Sequence, residues 1–327
     1  MIRWGILGCG KIARKFADDL KLIKDAELVA IGAREQVTAD TFAKDFPVRY
    51  THSSYESLVQ NPEVDVIYIA TPHAFHHEHA LLCLKYKKAV LCEKAFAMNL
   101  RQAKEMTDFA KVQRVFIMEA FWTKFLPHYQ LVKQLIANGK VGTINYIRGE
   151  FGFIPKAPVA SRLFDPQLGG GSLYDIGVYP VFLAIDILGR PDTIDASMTR
   201  ASTGIDEQCA IRFNYKDGAI AQLFSSLSAN LGGGADIAGD KGRIHFVNQF
   251  HKPLTTLEFY SDTVDNKEII PFDKGEGYGY EYEARHVTAC LQKGLTESPV
   301  LTHAQTLLLM ETLDRIREKA GINYPMD

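Results

Sequence analysis

Cysteine is scarce in this chain: five residues out of 327, at positions 9, 83, 92, 209 and 290. An odd, scattered set without a CxxC pair excludes a disulfide scaffold and offers no thiolate metal site. Reduced, mostly buried thiols in a cytoplasmic protein are expected. Excess charge of one sign is also missing, with 37 Lys and Arg against 39 Asp and Glu. That balance gives no electrostatic case for nucleic acid or an anionic membrane surface as partner. The apolar runs are far short of a membrane span. No basic leader with an apolar core precedes the first strand, and internal repeats and low-complexity linkers are absent.

What is present is ordinary globular composition, 46% hydrophobic and 23% charged, at a length that predicts two domains. The opening stretch carries the strongest signal. An apolar run from Ile2 ends in Gly8-Cys9-Gly10-Lys11-Ile12-Ala13, and an amphipathic segment follows at once. Strand, glycine turn and helix in that order are the context a dinucleotide fingerprint requires. Gly8 permits the tight turn, Gly10 leaves room for a pyrophosphate, and Ala13 lets helix and strand approach. The helix N-terminus adds unpaired N–H groups and a positive dipole end.

Apolar runs at 26–32, 64–70, 89–92 and 115–118 read as further strands. Helical patterns lie between them at 37–46, 54–59, 76–85 and 99–111, the last with Asn99 as N-cap. This alternation predicts a doubly wound parallel sheet, a Rossmann domain over 1–120. After Glu119 the pattern changes. A helix at 126–138, a strand at 144–153 and a helix at 172–188 lead into several strands with no helices between them. Asp217-Gly218 marks one hairpin. Residues 121–327 are therefore expected to form a separate α+β domain with an open, mostly antiparallel sheet. Two helices close the chain, the last free to pack back on the first domain.

The candidate site residues sit at the carboxyl ends of the parallel strands, where open α/β sheets bind ligands. Arg34 follows the second strand and suits the 2′-phosphate of NADP, while the adjacent Glu35 would suit NAD. Thr71-Pro72-His73-x-x-His76 follows another strand. His73, His76, His77 and His79 have workable spacing for a metal, but no Cys or carboxylate set completes a site. Cofactor-loop and helix-surface histidines are the expected reading, and no metal is expected. Cys92-Glu93-Lys94 ends the next strand, and a lysine there polarises a substrate hydroxyl or stabilises a nearby anion. Asp175 and Tyr179, spaced i,i+4, share a helix face. A tyrosine is a poor base at neutral pH unless a cation stabilises the phenolate, and Lys94 is the candidate cation.

Together these motifs resemble the glucose–fructose oxidoreductase / inositol dehydrogenase / MocA family over nearly the whole chain. Glu119-Ala120-Phe121-Trp122-Thr123-Lys124-Phe125-Leu126-Pro127 and Asp175-Ile176-Gly177-Val178-Tyr179-Pro180 resemble its branch of dimeric dihydrodiol dehydrogenases and NADP-dependent D-xylose dehydrogenases. The resemblance implies NADP in preference to NAD, with Arg34 at the 2′-phosphate. It implies Lys94 as the central catalytic lysine and Tyr179 as the proton-transfer residue, with Asp175 and His76 positioning substrate or cofactor. Trp122 and Phe125 would wall the apolar side of the pocket. A homodimer or higher homo-oligomer through the C-terminal sheet is also implied. Two departures stand out: Glu93-Lys94-Ala95 where the family has Glu-Lys-Pro, and His73 where it has asparagine. The expected activity is NADP-dependent hydride transfer to or from a secondary alcohol of a sugar, cyclic polyol or trans-dihydrodiol. An NAD(P)-recycling glycoside-modifying enzyme and a non-catalytic NADP-binding regulator are the alternatives.

Overall fold

In the computed structural model, which describes residues 1–156, 161–261 and 267–327, the apolar runs of the N-terminal part become one parallel sheet. Its elements run β1 (Ile2–Leu7), α1 (Lys11–Leu20), β2 (Ala26–Gly32), α2 (Gln36–Asp45), β3 (Tyr50–His52) and α3 (Tyr55–Gln60). They continue with β4 (Val66–Ile69), α4 (His76–Lys85), β5 (Ala89–Glu93), α5 (Leu100–Gln113) and β6 (Ile117–Ala120). The strand order β3-β2-β1-β4-β5-β6 reverses direction between β1 and β4. That switch point opens a crevice at the carboxyl ends of the two strands. Every residue of β4 and β5 is buried, as expected for strands covered by helices on both faces. Asn99 caps α5 as expected, its Oδ1 accepting from Gln102 N at 2.9 Å. The edge strand β3 goes beyond the sequence reading. Its three residues are too few and too polar to carry a periodic signal.

The second sheet has eight strands in the order β14-β13-β12-β11-β7-β10-β9-β8. Its elements are α6 (Pro127–Ala137), β7 (Ile144–Gly152), α7 (Val178–Leu188), β8 (Thr193–Arg200), β9 (Asp206–Asn214) and β10 (Ile220–Ser226), followed by β11 (Ala235–Gly239), β12 (Gly242–Phe246), β13 (Leu257–Tyr260) and β14 (Lys267–Ile270). All neighbours are antiparallel except β7 and β10. Asp217-Gly218 does turn the β9–β10 hairpin, with Gly218 at φ +94°. The stretch Pro166–Leu188 is long and apolar enough to cross a membrane, which corrects the expectation that every apolar run falls well short. Of its 18-residue apolar window 83% is buried, and its α7 part lies against β7, where a Cβ on Gly149 would approach Pro180 Cβ to 3.0 Å.

Two more helices, α8 (Tyr280–Gln292) and α9 (His303–Ala320), end the chain. The chain divides into one unit of Met1–Trp122 with Glu276–Leu307 and another of Thr123–Gly275 with Leu308–Asp327. Residues 276–307 thus leave the second domain, where the sequence pattern places them, and join the first. Asp19, near the end of α1, accounts for their return. Gly279 gives α8 no side-chain cap, and Asp19 supplies one from a distance: Oδ1 accepts from Tyr278 N and Oδ2 from Tyr280 N, both at 2.8 Å. No sequence pattern marks such a cap, since its two halves lie 261 residues apart.

Burial, followed by a hydrogen bond with Asp19, pushes the Glu281 carboxyl up to about 7. The folded protein therefore holds a proton that the unfolded chain releases near pH ~4.5. This contribution to stability is complete below that pH and is lost as pH rises through about 7. Glu281→Gln fixes the neutral form, so its Tm is expected to fall less between pH 5 and pH 8 than that of the parent protein. Differential scanning calorimetry across that range measures the difference.

Candidate active site

The first unit builds a dinucleotide-sized turn. Gly8 has φ +103°, a backbone that L side chains rarely adopt, and a Cβ there would lie 3.2 Å from Ala70 O and Thr71 Cγ2. Glycine at this position serves the crossing of β1 and β4. Gly10 serves a different end. It is extended and caps α1 without a side chain, and a Cβ there would meet nothing nearer than Ala70 O at 4.0 Å. The space over the helix N-terminus is open, which fits a pyrophosphate. Ala13 is fully buried, as close strand–helix packing requires. Cys9 is half-buried, and burial pushes its thiol up to about 11, so it is an inert wall of the turn. Lys11 is exposed and Ile12 half-buried.

Arg34 is exposed just past β2, as is Glu35. The charge of Arg34 reaches Tyr55 and His79, which lie ring edge to ring face at 4.7 Å. His79 Nδ1 meets Thr71 Oγ1 at 3.0 Å, and burial first, then the charges of His76 and Arg34, hold this imidazole down to about 4. A neutral His79 and an exposed guanidinium therefore stand on the same edge. Neither Tyr55 nor His79 is marked as a site residue by the sequence. Only their three-dimensional closeness to Arg34 marks them.

The expectation of helix-surface histidines needs correction. His73, His76 and His79 are buried, and only His77 faces outward, where it meets Glu105 at 2.8 Å. Among the described residues, no three His, Cys, Asp or Glu side chains are grouped to hold a metal. His76 serves the structure instead, with Nε2 2.8 Å from Thr71 O and Nδ1 2.8 Å from Ala95 O. Both partners are carbonyl acceptors, so making both bonds requires the doubly protonated ring. His76 thereby ties the loop after β4 to the loop after β5. His73 stands edge-on to it at 5.7 Å.

Lys94 is the one residue between Ala89 and Met98 that is not buried. Its neighbours are fastened one by one. Glu93 accepts from the Tyr68 hydroxyl and, at 3.2 Å, from Lys94 N. Ala95 O takes the bond from His76, a restraint that stands where the family's proline would fix φ, and the Lys94–Ala95 peptide is cis. Phe96 N donates to Glu119, whose Oε2 also accepts from Thr306 Oγ1 at 3.0 Å. Burial pushes the Glu119 carboxyl up to about 8. Trp122, also in this unit, stacks on Tyr280 at 4.5 Å.

The second unit holds Asp175, Tyr179 and Phe125. Instead of a continuous α-helix from Ser172, the chain makes a π turn over Leu173–Gly177 before α7. The extra residue per turn alters the simple i,i+4 geometry expected for Asp175 and Tyr179, and such turns recur at functional sites. Asp206 fixes the start of this turn, accepting from Leu173 N at 2.6 Å and Ser172 Oγ at 2.9 Å. Gly171, at φ +128°, is required because a Cβ would fall 2.2 Å from Asp206 Oδ1. Asp175 is buried and accepts from Arg162 Nη2 at 2.7 Å. Tyr179 is buried too, its ring 4.7 Å from His251 and 6.0 Å from Phe151. Beside Phe151 a concavity of about 450 Å³ is walled by Phe153, Asn230, Gln249 and Lys252. Arg162, His251 and Phe151 belong to no motif, so sequence reasoning misses them. Residues 157–160 of the loop before Gly171 lie outside the described residues.

Two family descriptions match the chain: "Oxidoreductase family, NAD-binding Rossmann fold" over residues 2–121 and "GFO/IDH/MocA C-terminal domain" over 129–245. Trans-1,2-dihydrobenzene-1,2-diol dehydrogenase of Xenopus tropicalis is 35% identical, covering 99% of both chains. The enzyme of that name from Mus musculus is 36% identical, over 100% of this chain and 99% of its own. Among solved structures, a 3-ketoreductase of Actinomadura kijaniata in complex with NADP and TDP-benzene matches with TM-score 0.87 at 24% identity, over 98% of each chain. An aldose-aldose oxidoreductase of Caulobacter crescentus complexed with glycerol matches with TM-score 0.89 at 20% identity, over 98% of this chain and 97% of its own. At such identities the structures speak for the fold, whereas the full-length sequence matches speak for descent. The chain belongs to the GFO/IDH/MocA family of oxidoreductases.

Proposed function

We propose that this oxidoreductase is an NADP-dependent dehydrogenase acting on the secondary alcohol of a trans-dihydrodiol, sugar or cyclic polyol. The observation that carries the reading is Lys94, the one partly exposed residue of the buried segment 89–98, at the end of a strand in the sheet that also carries the open dinucleotide turn. The full-length similarity to dihydrodiol dehydrogenases supports the substrate class.

Gly8, Gly10 and the N-terminus of α1 would hold the pyrophosphate, and Arg34 the 2′-phosphate, with Cys9, Lys11, Ile12, Thr71, Pro72, His73, His76 and Glu93 shaping the rest of that surface. When bound, the nicotinamide accepts or returns a hydride at C4. The residues of this chain manage the proton. In the oxidative direction Tyr179 takes the proton of the substrate hydroxyl as its C–H bond breaks. An unassisted phenol, with pKa near ~10, is ionised to only about one part in a thousand at neutral pH. The positive charge of Lys94 is assigned to stabilise the phenolate and to polarise the substrate oxygen. Asp175, steadied by Arg162, would orient a second substrate hydroxyl, and Trp122 and Phe125 would line the apolar side.

The same reading extends to assembly and location. The outer face of the eight-stranded sheet carries Arg148, Glu150, Asp195 and Arg212 around a shallow concavity of about 560 Å³ and is proposed as the homodimer contact. Five cysteines, none in a disulfide, favour a reducing, cytoplasmic setting. Light scattering on the purified chain is expected to return twice the monomer mass, and Arg212→Glu to shift it toward the monomer.

Lys94→Met and Tyr179→Phe are each expected to lower kcat by about 10²–10⁴-fold, the usual worth of positioned acid–base groups. The assay is NADP reduction at 340 nm with dihydrodiols and aldoses. Wild-type kcat in both variants would reject these roles. Arg34→Ala is expected to weaken NADPH binding about tenfold or more and leave NADH binding unchanged, since a charge-assisted bond is worth ~1.5–3 kcal/mol. Fluorescence titration with the two nucleotides measures the ratio.

A further inference from the structure

The proposed chemistry gives the buried acids and phenols behind Lys94 no part in the proton transfer. Tyr68 is fully buried on β4, and Glu93 is the last residue of β5. Tyr68 pairs with Leu91 in the parallel ladder, so Glu93, two residues further along, shares its face of the sheet as a diagonal neighbour. The Tyr68 hydroxyl donates to Glu93 Oε1, and Glu93 Oε2 accepts from Lys94 N at 3.2 Å. Each oxygen of the carboxylate therefore has its own donor, one on the neighbouring strand and one on the lysine itself.

The phenol is held as firmly as the acid. The Tyr68 ring stacks on Phe16 of α1 with centroids 3.8 Å apart and planes 11° apart. Phe16 belongs to the helix that starts at Gly10, so a single chain of contacts joins the dinucleotide turn to the lysine. The groups that act on this pair from the packed elements are Glu283 and Tyr280 of α8 and Glu119 of β6, and Glu283 in turn feels Asp19 of α1. Burial, then the charge of Glu93, pushes the Tyr68 phenol well above its ordinary value, so it remains a donor at every working pH. Glu283 is wholly buried, and neither carboxyl oxygen has a hydrogen-bond partner among the described residues. Burial, then the charges of Glu93, Asp19 and Glu119, push its carboxyl well above the ordinary value. Glu93 is the acid of this group at which two donors point.

We propose that Tyr68 is a positioning residue for the reaction: by donating to Glu93 it fixes the carboxylate that holds the Lys94 backbone, and so sets where the lysine stands. The inference rests on the reading of Lys94 as the catalytic lysine. Atomic placement matters at this level, since an error of ~1 Å in a reacting group costs up to about 10²-fold in rate.

The test uses the full-length protein with NADP and a substrate it turns over. Tyr68→Phe keeps the ring and its stack on Phe16 and removes only the donor. It is expected to lower kcat about tenfold while NADPH affinity and substrate KM stay within about twofold, the pattern of a lost transition-state contact. A limb of the kcat–pH profile should also move, because the carboxylate beside Lys94 has lost a donor; a merely structural role would lower Tm and leave the profile in place. Glu93→Gln, which cannot accept from both donors, is expected to lose more. The double variant should lose no more than Glu93→Gln alone, because Tyr68 acts through Glu93. Additive losses, or a Tyr68→Phe enzyme with unchanged kcat and profile, overturn the inference. If Tyr68→Phe fails to fold, the decision passes to Glu93→Gln, where an unchanged kcat and profile have the same meaning. Lys94→Met separates the two levels: if it is inactive while the Tyr68 effect is absent, only this inference falls, and if it is fully active the reading beneath it falls too.

Discussion

Burial of the parallel sheet on both faces is the constraint on which the first unit depends. Strands covered by helices on each side carry few polar side chains along their length, each of them needing a partner, so polar groups collect where the strands end. The carboxyl edge therefore receives Gly8, Arg34, Thr71, Glu93 and Lys94 together. At that edge the crowding is severe enough to specify residue type. Gly8 is required by the backbone and side chain of the 70–71 segment, whereas Gly10 leaves the helix end open. One motif thus contains two glycines kept for different physical reasons.

The second consequence of burial is that the lysine segment needs fastening. Residues 89–98 are buried apart from Lys94, and their backbone groups find partners from four separate places: Glu93 itself, His76, Glu119 and Gln102. An unpaired buried backbone group costs about 1–3 kcal/mol, so a loop of this kind is stable only when each is answered. The substitution of Ala95 for proline becomes intelligible in this light. The restraint that proline would supply through its ring is supplied by a bond from the His76 imidazole to the Ala95 carbonyl. His76, which looks like one of four loop histidines, is a bridge between two loops.

The second unit follows a different logic. Its sheet has one face covered by α7, and the candidate residues Asp175 and Tyr179 lie where that helix begins. The π turn, the Asp206 cap and the glycines at 169–171 together let the chain enter α7 at the angle that carries Asp175 and Tyr179. A helical period read through 172–188 captures the residues and misses the turn, because an insertion of one residue in the hydrogen-bond ladder leaves the apolar pattern intact. Tyr179 then packs against His251, 72 positions away on a loop held by Thr123 and His128, through bonds to His251 O and Phe250 O.

Local features reached the sequence directly. The strand–turn–helix start, the alternation of the first 120 residues, the Asn99 cap, the Asp217-Gly218 hairpin and the position of Lys94 at a strand end all depend on residues within a few places of one another. Their physics is periodicity, backbone sterics and capping, and these are written in consecutive residues. The tertiary structure decided what depends on distant pairs. Asp19 capping α8, Tyr68 reaching Glu93, His76 tying Thr71 to Ala95, and Arg162 meeting Asp175 join positions that share no pattern. Buried polar groups must find partners wherever the fold brings them, and neither spacing nor composition records which residues those will be.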